Sequence, residues 1–390
     1  MKRHNILISG GGIAGLTAAL CLARHGHKVN IFERAQVMEP LGAGIQISPN
    51  AFHVLRELGL SQELLSAGDA PQAILMMNAV KGIKLADIPL GFNIQDKYDA
   101  PYLVIHRADL QNVLFAACNS NPDIEINFGS EITDAAVHPN GITAFVQSDS
   151  KAVEKVGDLL IGADGIHSHI RKNILHLKPA HYVGKTAWRT LIAAEQVQNQ
   201  DALMNTMVWL GPKAHAVTYP VKKGSYLNVI AVTQEAENAS SKKISQVELR
   251  EKFSYWSDSF TNIFDIESNW SGWPLYETPS VDVITKSKVV LIGDAAHAML
   301  PFAAQGAAQA IEDAYQLSQC LSKVDEIESA FKTFEQKRVP RIKRIMKTAR
   351  SNGSIYHLSG FAASIRNIGL SKISGNRLLQ KQDWIYRWKP

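Results

Sequence analysis

His215 and Tyr219 stand four residues apart in the run Gly211-Pro212-Lys213-Ala214-His215-Ala216-Val217-Thr218-Tyr219-Pro220. On a strand, positions 215, 217 and 219 face one side, so an imidazole and a phenol would look into the same space. An imidazole titrating near neutral pH can take a proton from a bound hydroxyl, which is general-base chemistry. A His and a Tyr on one strand face also occur as packing and hydrogen-bonding residues, and the residue types alone leave both readings open.

A second set of residues points to a nucleotide. Ile6-Leu7-Ile8 closes into Gly10-Gly11-Gly12-Ile13-Ala14-Gly15, and Glu33 follows at the tip of Lys28-Val29-Asn30-Ile31-Phe32. Gly10 suits a tight turn, Gly12 lets backbone approach a pyrophosphate, and Gly15 lets helix and strand pack closely. Glu33 is placed to accept from a ribose diol. Two later segments repeat the theme of a buried strand ending at an acid: Leu159-Leu160-Ile161-Gly162-Ala163-Asp164-Gly165, and Val289 to Asp313 with Gly293-Asp294. The second continues into Pro301 and Gln305-Gly306-Ala307, offering a carboxylate to a polyol and backbone N–H groups to an anionic ring edge.

These residues need elements to hold them. A βαβ unit is expected over 3–34, with strands at 4–9 and 28–33 around a helix at about 13–26. Helices are expected at 50–58 and from Arg107 through Ala117. Strands are expected at 124–128 and 142–146, with Asn140-Gly141 as a hairpin signal between the flanking strands. From about 181 to 280 the chain is richer in Trp, Tyr, Thr and Val, with strands at 186–194, 205–210, 214–221 and 225–233. After a buried strand from Val289, helices fill most of the remainder. The expected class is α/β: a Rossmann-like domain of residues 1–180 and 281–390, interrupted by a mainly antiparallel sheet domain at 181–280 to which residues 70–105 contribute, with C-terminal helices.

The bulk numbers agree with a globular chain: 390 residues, 46% hydrophobic and 20% charged. No stretch approaches a membrane span, and the N-terminus enters a strand directly, so the cytoplasm is the expected address. Cys21, Cys118 and Cys320 form no CxxC pair and read as buried packing residues, and no metal site is expected. The basic run Lys337, Arg338, Arg341, Lys343, Arg344, Lys347 and Arg350 interleaves with Val339, Ile342, Ile345, Met346 and Ala349, so its basic face reads as solvated and not as a nucleic-acid or membrane footprint.

Together these motifs resemble the single-component flavoprotein monooxygenases, the aromatic hydroxylases that include para-hydroxybenzoate and salicylate hydroxylase. The resemblance implies a resident FAD held by Gly12, Ala14, Gly15, Glu33, Arg34, Gly44, Arg107, Asp164, Gly293, Asp294, Gln305, Gly306 and Ala307. It implies NADH or NADPH as a transient co-substrate, O2, and hydroxylation of a small aromatic acid by a flavin C4a-hydroperoxide in a monomer or homodimer. The absence of a second GxGxxG unit agrees with a nicotinamide that has no domain of its own. The HxxxYP arrangement is similar to that of the branch acting on 3-hydroxybenzoate and 6-hydroxynicotinate, which gives His215 and Tyr219 the catalytic roles and puts Gln46 and Pro301 on the substrate side. In Gly42-Ala43-Gly44-Ile45-Gln46 the hydroxynicotinate-type enzymes carry a His where this chain has Gln46, which disfavours that substrate. Salicylate, hydroxylated with decarboxylation to catechol, is the expected substrate. A flavin dehydrogenase or oxidase and a non-catalytic flavin redox sensor are the alternatives.

Overall fold

The computed structural model describes residues 2–38, 44–148, 151–236 and 243–390. Its first sheet has six strands in the order 285–286, 289–291, 159–162, 5–9, 28–33, 124–128, parallel except where Thr285–Lys286 runs against Val289–Leu291. The central strands are continuous apolar runs because helices cover both faces, and Ile6, Leu7, Ile8, Leu160 and Val290 are almost wholly buried. Helix Ile13–Ala23 follows the first strand and packs against helix Gly306–Leu321. The first of these stops at Ala23, short of the expected 26, where Gly26 at φ +80° accepts the left-handed turn that ends it.

Strand Ile124–Phe128 lies at the edge of this sheet beside Lys28–Glu33, and so is no partner of the next hairpin. Gly129, at φ +61°, turns the chain out of the sheet. Ser130–His138, which sequence patterning missed, then pairs with Gly141–Ser148. The hairpin's two turn residues are Pro139 and Asn140, since Gly141 already pairs with His138.

A second sheet has eight strands in the order 243–244, 270–277, 181–193, 226–234, 214–221, 206–211, 73–78, 83–89. All neighbours are antiparallel except 206–211 and 73–78. Its outer face is sealed by Trp188, Trp209, Phe253, Trp256, Phe260 and Trp270. Its inner face meets the ribbon formed by Gly44–Ile47 and Leu103–His106, where Tyr102 and Val104 pack with Tyr219 and Val221. Helix Ile327–Tyr356, 30 residues long, runs past both sheets. The helices Gly360–Lys372, Gly375–Gln380 and Asp383–Tyr386 close the chain, the middle one lying against strand Ile83–Pro89. Among the described residues no helix is long and apolar enough to cross a membrane, no cluster of metal-binding side chains occurs, and the three cysteines are buried and free.

Candidate active site

The nucleotide end is built by backbone close approach. A Cβ on Gly15 would lie 2.0 Å from the Gly10 carbonyl oxygen, and one on Gly10 would lie 2.5 Å from that of Ala163. These glycines weld the first loop to the helix it starts and to the strand carrying Asp164. Gly12 is the opposite case, because its Cβ position opens onto empty space, as does that of Gly306. Helices Ile13–Ala23 and Gly306–Leu321 both start without a side-chain cap, so the N–H groups around Ala14 and around Ala307 are free to meet anionic oxygens. Glu33 turns its carboxylate toward the same loop, accepting from Gly11 N at 2.7 Å and from Ala35 N at 2.9 Å. Arg34 is exposed beside it.

Gly293 sits at φ +59°, ψ −144°, a conformation suited to glycine, and its Cβ would meet Ala14 and Ala310. It presents Asp294 at the first turn of a short helix, exposed and with no hydrogen bond to its carboxylate from the described residues. Asp164 differs: Ser168 donates to it at 2.5 Å and Ile170 N at 3.0 Å, while burial raises its carboxyl above the usual value. It shapes its own turn. Arg171, almost fully buried, then donates to the carbonyls of Ala295 and Ala296 and ties that turn to the Asp294 helix. Free helix starts, an open Gly12 and an unengaged Asp294 fit a bound FAD. Arg107 opens helix Arg107–Asn119 near this groove, partly exposed.

Gln305 caps no helix with its side chain. Its amide is buried, donating to Ser48 Oγ at 2.9 Å and accepting from Asn50 at 3.1 Å. Its amide is thus engaged in the polar interior, while the N–H groups at the start of helix Gly306–Leu321 are uncapped. Gly44 touches the eight-stranded sheet: its N–H donates to Asn228 Oδ1 at 2.9 Å, and a Cβ there would stand 2.4 Å from the Tyr219 ring. Gly42 and Ala43 lie outside the described residues.

On the inner face of the eight-stranded sheet, His215 and Tyr219 point to the same side, as their parity requires. They are not bonded to each other, since four residues of strand put them about 13 Å apart with Val217 between. The partner of His215 is one the sequence reading missed: its Nδ1 lies 2.7 Å from Nε2 of His357, 142 positions away. Phe302 stands edge-on to the His215 ring at 4.8 Å, and no hydrogen bond to His215 Nε2 comes from the described residues. Burial, then the neighbouring His357 and Lys185, holds the imidazole well below its usual pKa, so it is neutral at pH 7 and able to accept a proton. Burial pushes the Tyr219 phenol above its usual range, so that group stays protonated.

Arg189 completes this face. Arg189 pairs with Ile230, which in turn pairs with Val217, so its backbone stands level with the middle of the His215–Tyr219 line, two strands away. It packs over Trp273 at 5.4 Å, its Nε is buried without a partner, and no carboxylate pairs with it among the described residues. Burial lowers its pKa, but a guanidinium stays charged at neutral pH. Asn228 Nδ2 is also buried and unpartnered. Across the gap, Tyr102 OH donates to Gln46 Oε1, and exposed Pro301 starts the turn that carries Phe302.

The basic helix meets its expectation only in part. Arg338 is 1% exposed and donates to Asp313 Oδ1 at 2.7 Å, Glu312 Oε2 at 2.5 Å and Gln309 Oε1 at 2.7 Å. Arg341 also grips Glu312, and Arg350 pairs with Glu277. Asp313 accepts from Gly293 N at 2.9 Å, so the ion cluster anchors the loop that presents Asp294. Arg338 and Arg341 thus hold the cofactor side in place, while Lys337, Lys343, Arg344, Lys347 and Arg350 are exposed, as expected of the basic face.

The chain has relatives along nearly its whole length. The chain is 32% identical over 98% of its length to 3-hydroxybenzoate 6-hydroxylase 1 of Aquipseudomonas alcaligenes, covering 97% of that protein. Among solved structures, Klebsiella pneumoniae HpxO complexed with FAD and uric acid superposes with a TM-score of 0.88 at 20% identity, covering 99% of this chain and 97% of that one. A salicylate hydroxylase substrate complex gives 0.82 at 21% identity, over 99% and 96%. These two likenesses carry the fold. The family described as "FAD binding domain" matches residues 3–349. The chain therefore belongs to the FAD-binding-domain family, as one of its single-component aromatic flavin hydroxylases.

Proposed function

We propose that this chain hydroxylates a small aromatic acid bearing a ring hydroxyl, with 3-hydroxybenzoate the leading substrate, NADH or NADPH the reductant and O2 the oxygen source. The observation that carries this reading is Arg189, a half-buried cation whose Nε is sealed without a partner and which no carboxylate among the described residues neutralises, on the sheet face that also bears His215 and Tyr219. A benzoate carboxylate supplies the missing charge in a bidentate geometry. In this reading residues 1–180 and 281–390 form the cofactor domain, and 181–280 with the strands at 73–89 form the substrate domain.

The free loop and helix starts at Gly12, Ala14, Gly306 and Ala307, with Glu33 and Asp294, would hold FAD, which when bound supplies electron transfer from nicotinamide to O2 and the activated oxygen. The chain's own residues prepare the ring. Neutral His215 takes the proton of the ring hydroxyl at Nε2, making the ring electron-rich. Tyr219, kept protonated, donates a hydrogen bond, while Phe302 and Val217 keep water from the ring. In salicylate the hydroxyl adjoins the carboxylate, whereas the backbones of His215 and Arg189 sit two strands and two residues apart, about 12 Å. A hydroxyl meta to the carboxylate spans them better, and the 32% identical 3-hydroxybenzoate relative points the same way. Gln46, held by Tyr102, is no base, which weighs against 6-hydroxynicotinate.

The test is NADH and NADPH oxidation by the FAD-loaded protein with 3-hydroxybenzoate, salicylate and 6-hydroxynicotinate, under isotopically labelled O2. Label in the ring of the 3-hydroxybenzoate product is expected. Nicotinamide oxidation without label in product would establish a dehydrogenase or oxidase instead, and indifference to every acid would favour a redox sensor.

A further inference from the structure

His215 is sealed between the sheet and Phe302, so a proton it accepts needs a way out. The structure offers one. His215 Nδ1 and His357 Nε2 are 2.7 Å apart, their rings 4.9 Å between centroids and tilted by 37°. His357 in turn lines a solvent-open cavity of about 340 Å³ together with Phe302, Lys185 and Gln234 of the sheet, and Arg350 and Ser354 of the long helix. Its backbone is fixed at both ends: His357 N donates to the Gly353 carbonyl, and Lys213 N, in the turn that precedes His215, donates to the His357 carbonyl.

We propose that His357 is the proton outlet of the active site, passing the ring hydroxyl's proton from His215 to solvent in this cavity. The inference rests on the hydroxylase reading above. The O–H bond of the substrate breaks and its proton goes to His215 Nε2. The proton on His215 Nδ1 moves to His357 Nε2, and that on His357 Nδ1 goes to water. No electrons move, and the same path run backwards reprotonates the product hydroxyl and resets both tautomers.

The surroundings make the path a conduit and not a store. The charged groups facing His357 are Lys185 from the sheet, Arg350 from the long helix and Arg366 from the next helix; Arg350 is already matched by Glu277. Burial, Lys185 and Arg366 lower the His357 pKa to about 4, so an imidazolium there gives up its proton quickly. His357 does not touch substrate and acts through His215, as a positioning and relay residue.

The experiment mixes FAD-loaded His357→Phe with 3-hydroxybenzoate without O2 and follows the ultraviolet band of the bound phenolate. The expected result is at least about a tenfold slower deprotonation, the low end of acid–base effects, with substrate affinity and flavin content within twofold of wild type. Added imidazole, small enough to enter the cavity, restores the rate. Ser354→Trp, which fills the cavity from its exposed rim and leaves both histidines in the chain, slows deprotonation likewise. Wild-type rates in both variants, or a loss in His357→Phe that imidazole never restores while Ser354→Trp is unaffected, overturn the outlet alone. A wild-type protein that binds none of the hydroxy acids overturns the hydroxylase reading, and the outlet with it.

Discussion

Replacing Arg338 by Met tests whether the basic helix is structural. The substitution roughly keeps the stem's volume and removes a guanidinium that donates to Asp313, Glu312 and Gln309, all of them buried. Asp313 keeps Gly293 N and His297, and Glu312 keeps Arg341 and Asn50, but two buried carboxylates lose their shared cation. Breaking a buried ion pair from one side costs about 3–5 kcal/mol, roughly a thousandfold in the unfolding equilibrium at its midpoint. The pH dependence fixes the cause. Burial pushes both carboxyls up, but Arg338 and Arg341 at Glu312, and His297 and Arg338 at Asp313, outweigh it and hold both below their ordinary values of 4.5 and 3.8. A depressed folded pKa gives stability that is complete above the unfolded value and lost as pH falls through the folded one. Without Arg338 both folded values rise, so the deficit is largest at pH 7 and narrows as pH falls toward about 4.5, where the variant's carboxyls begin to protonate. Urea unfolding of FAD-loaded wild type and variant at pH 7, 6, 5 and 4.5 reads this directly. A deficit under about 1 kcal/mol, or one unchanged across that range, would refute the buried cluster as described.

Other outcomes follow from single contacts. Gly15→Ala forces a methyl to 2.0 Å from the Gly10 carbonyl, and the purified protein should come out depleted of flavin, measured by its absorbance ratio. Asp294→Ala should weaken FAD binding roughly tenfold or more, the worth of charged hydrogen bonds. Because Asp294 is exposed and unbonded, the apoprotein's unfolding midpoint should not move. Arg189→Gln should raise KM for 3-hydroxybenzoate about 10- to 100-fold while leaving 3-hydroxybenzamide, which has no charge, nearly unaffected; equal losses for both would remove Arg189 from carboxylate binding.

The cofactor half was legible because its constraints are local. Gly10, Gly15 and Gly293 are demanded by backbone atoms close at hand or by φ, and such demands leave a fixed spacing in the chain. His215 and Tyr219 were legible as a pair on one strand face, but their actual neighbours were not, because His357 and Arg189 reach them through sheet pairing and helix docking over long separations. Strand 124–128 was found and misassigned, since its alternation does not say which sheet it joins. The burial of Arg338 did leave a trace: it lies four and seven residues before Ile342 and Ile345, in line with the apolar face, and the adjacent Glu312-Asp313 pair is its complement on another core helix. Reading charge as surface hid it.

Helix Ile327–Tyr356 has a consequence for how such a chain can change over time. At Arg338 it grips the loop of Gly293, at Arg350 it holds Glu277 at the end of a sheet strand, and at Asn352 and Gly353 it receives the carbonyl and the ring of Phe302. Fifteen residues separate the first grip from the last, about 22 Å of rise, so the helix works as a measuring rod between the cofactor loop and the substrate sheet. Deleting or inserting one residue within it would rotate everything beyond by about 100° and misalign one set of grips whichever way the helix settled. Length variation is therefore free to accumulate in surface turns such as the one at Pro139-Asn140, while this span is held to a fixed count.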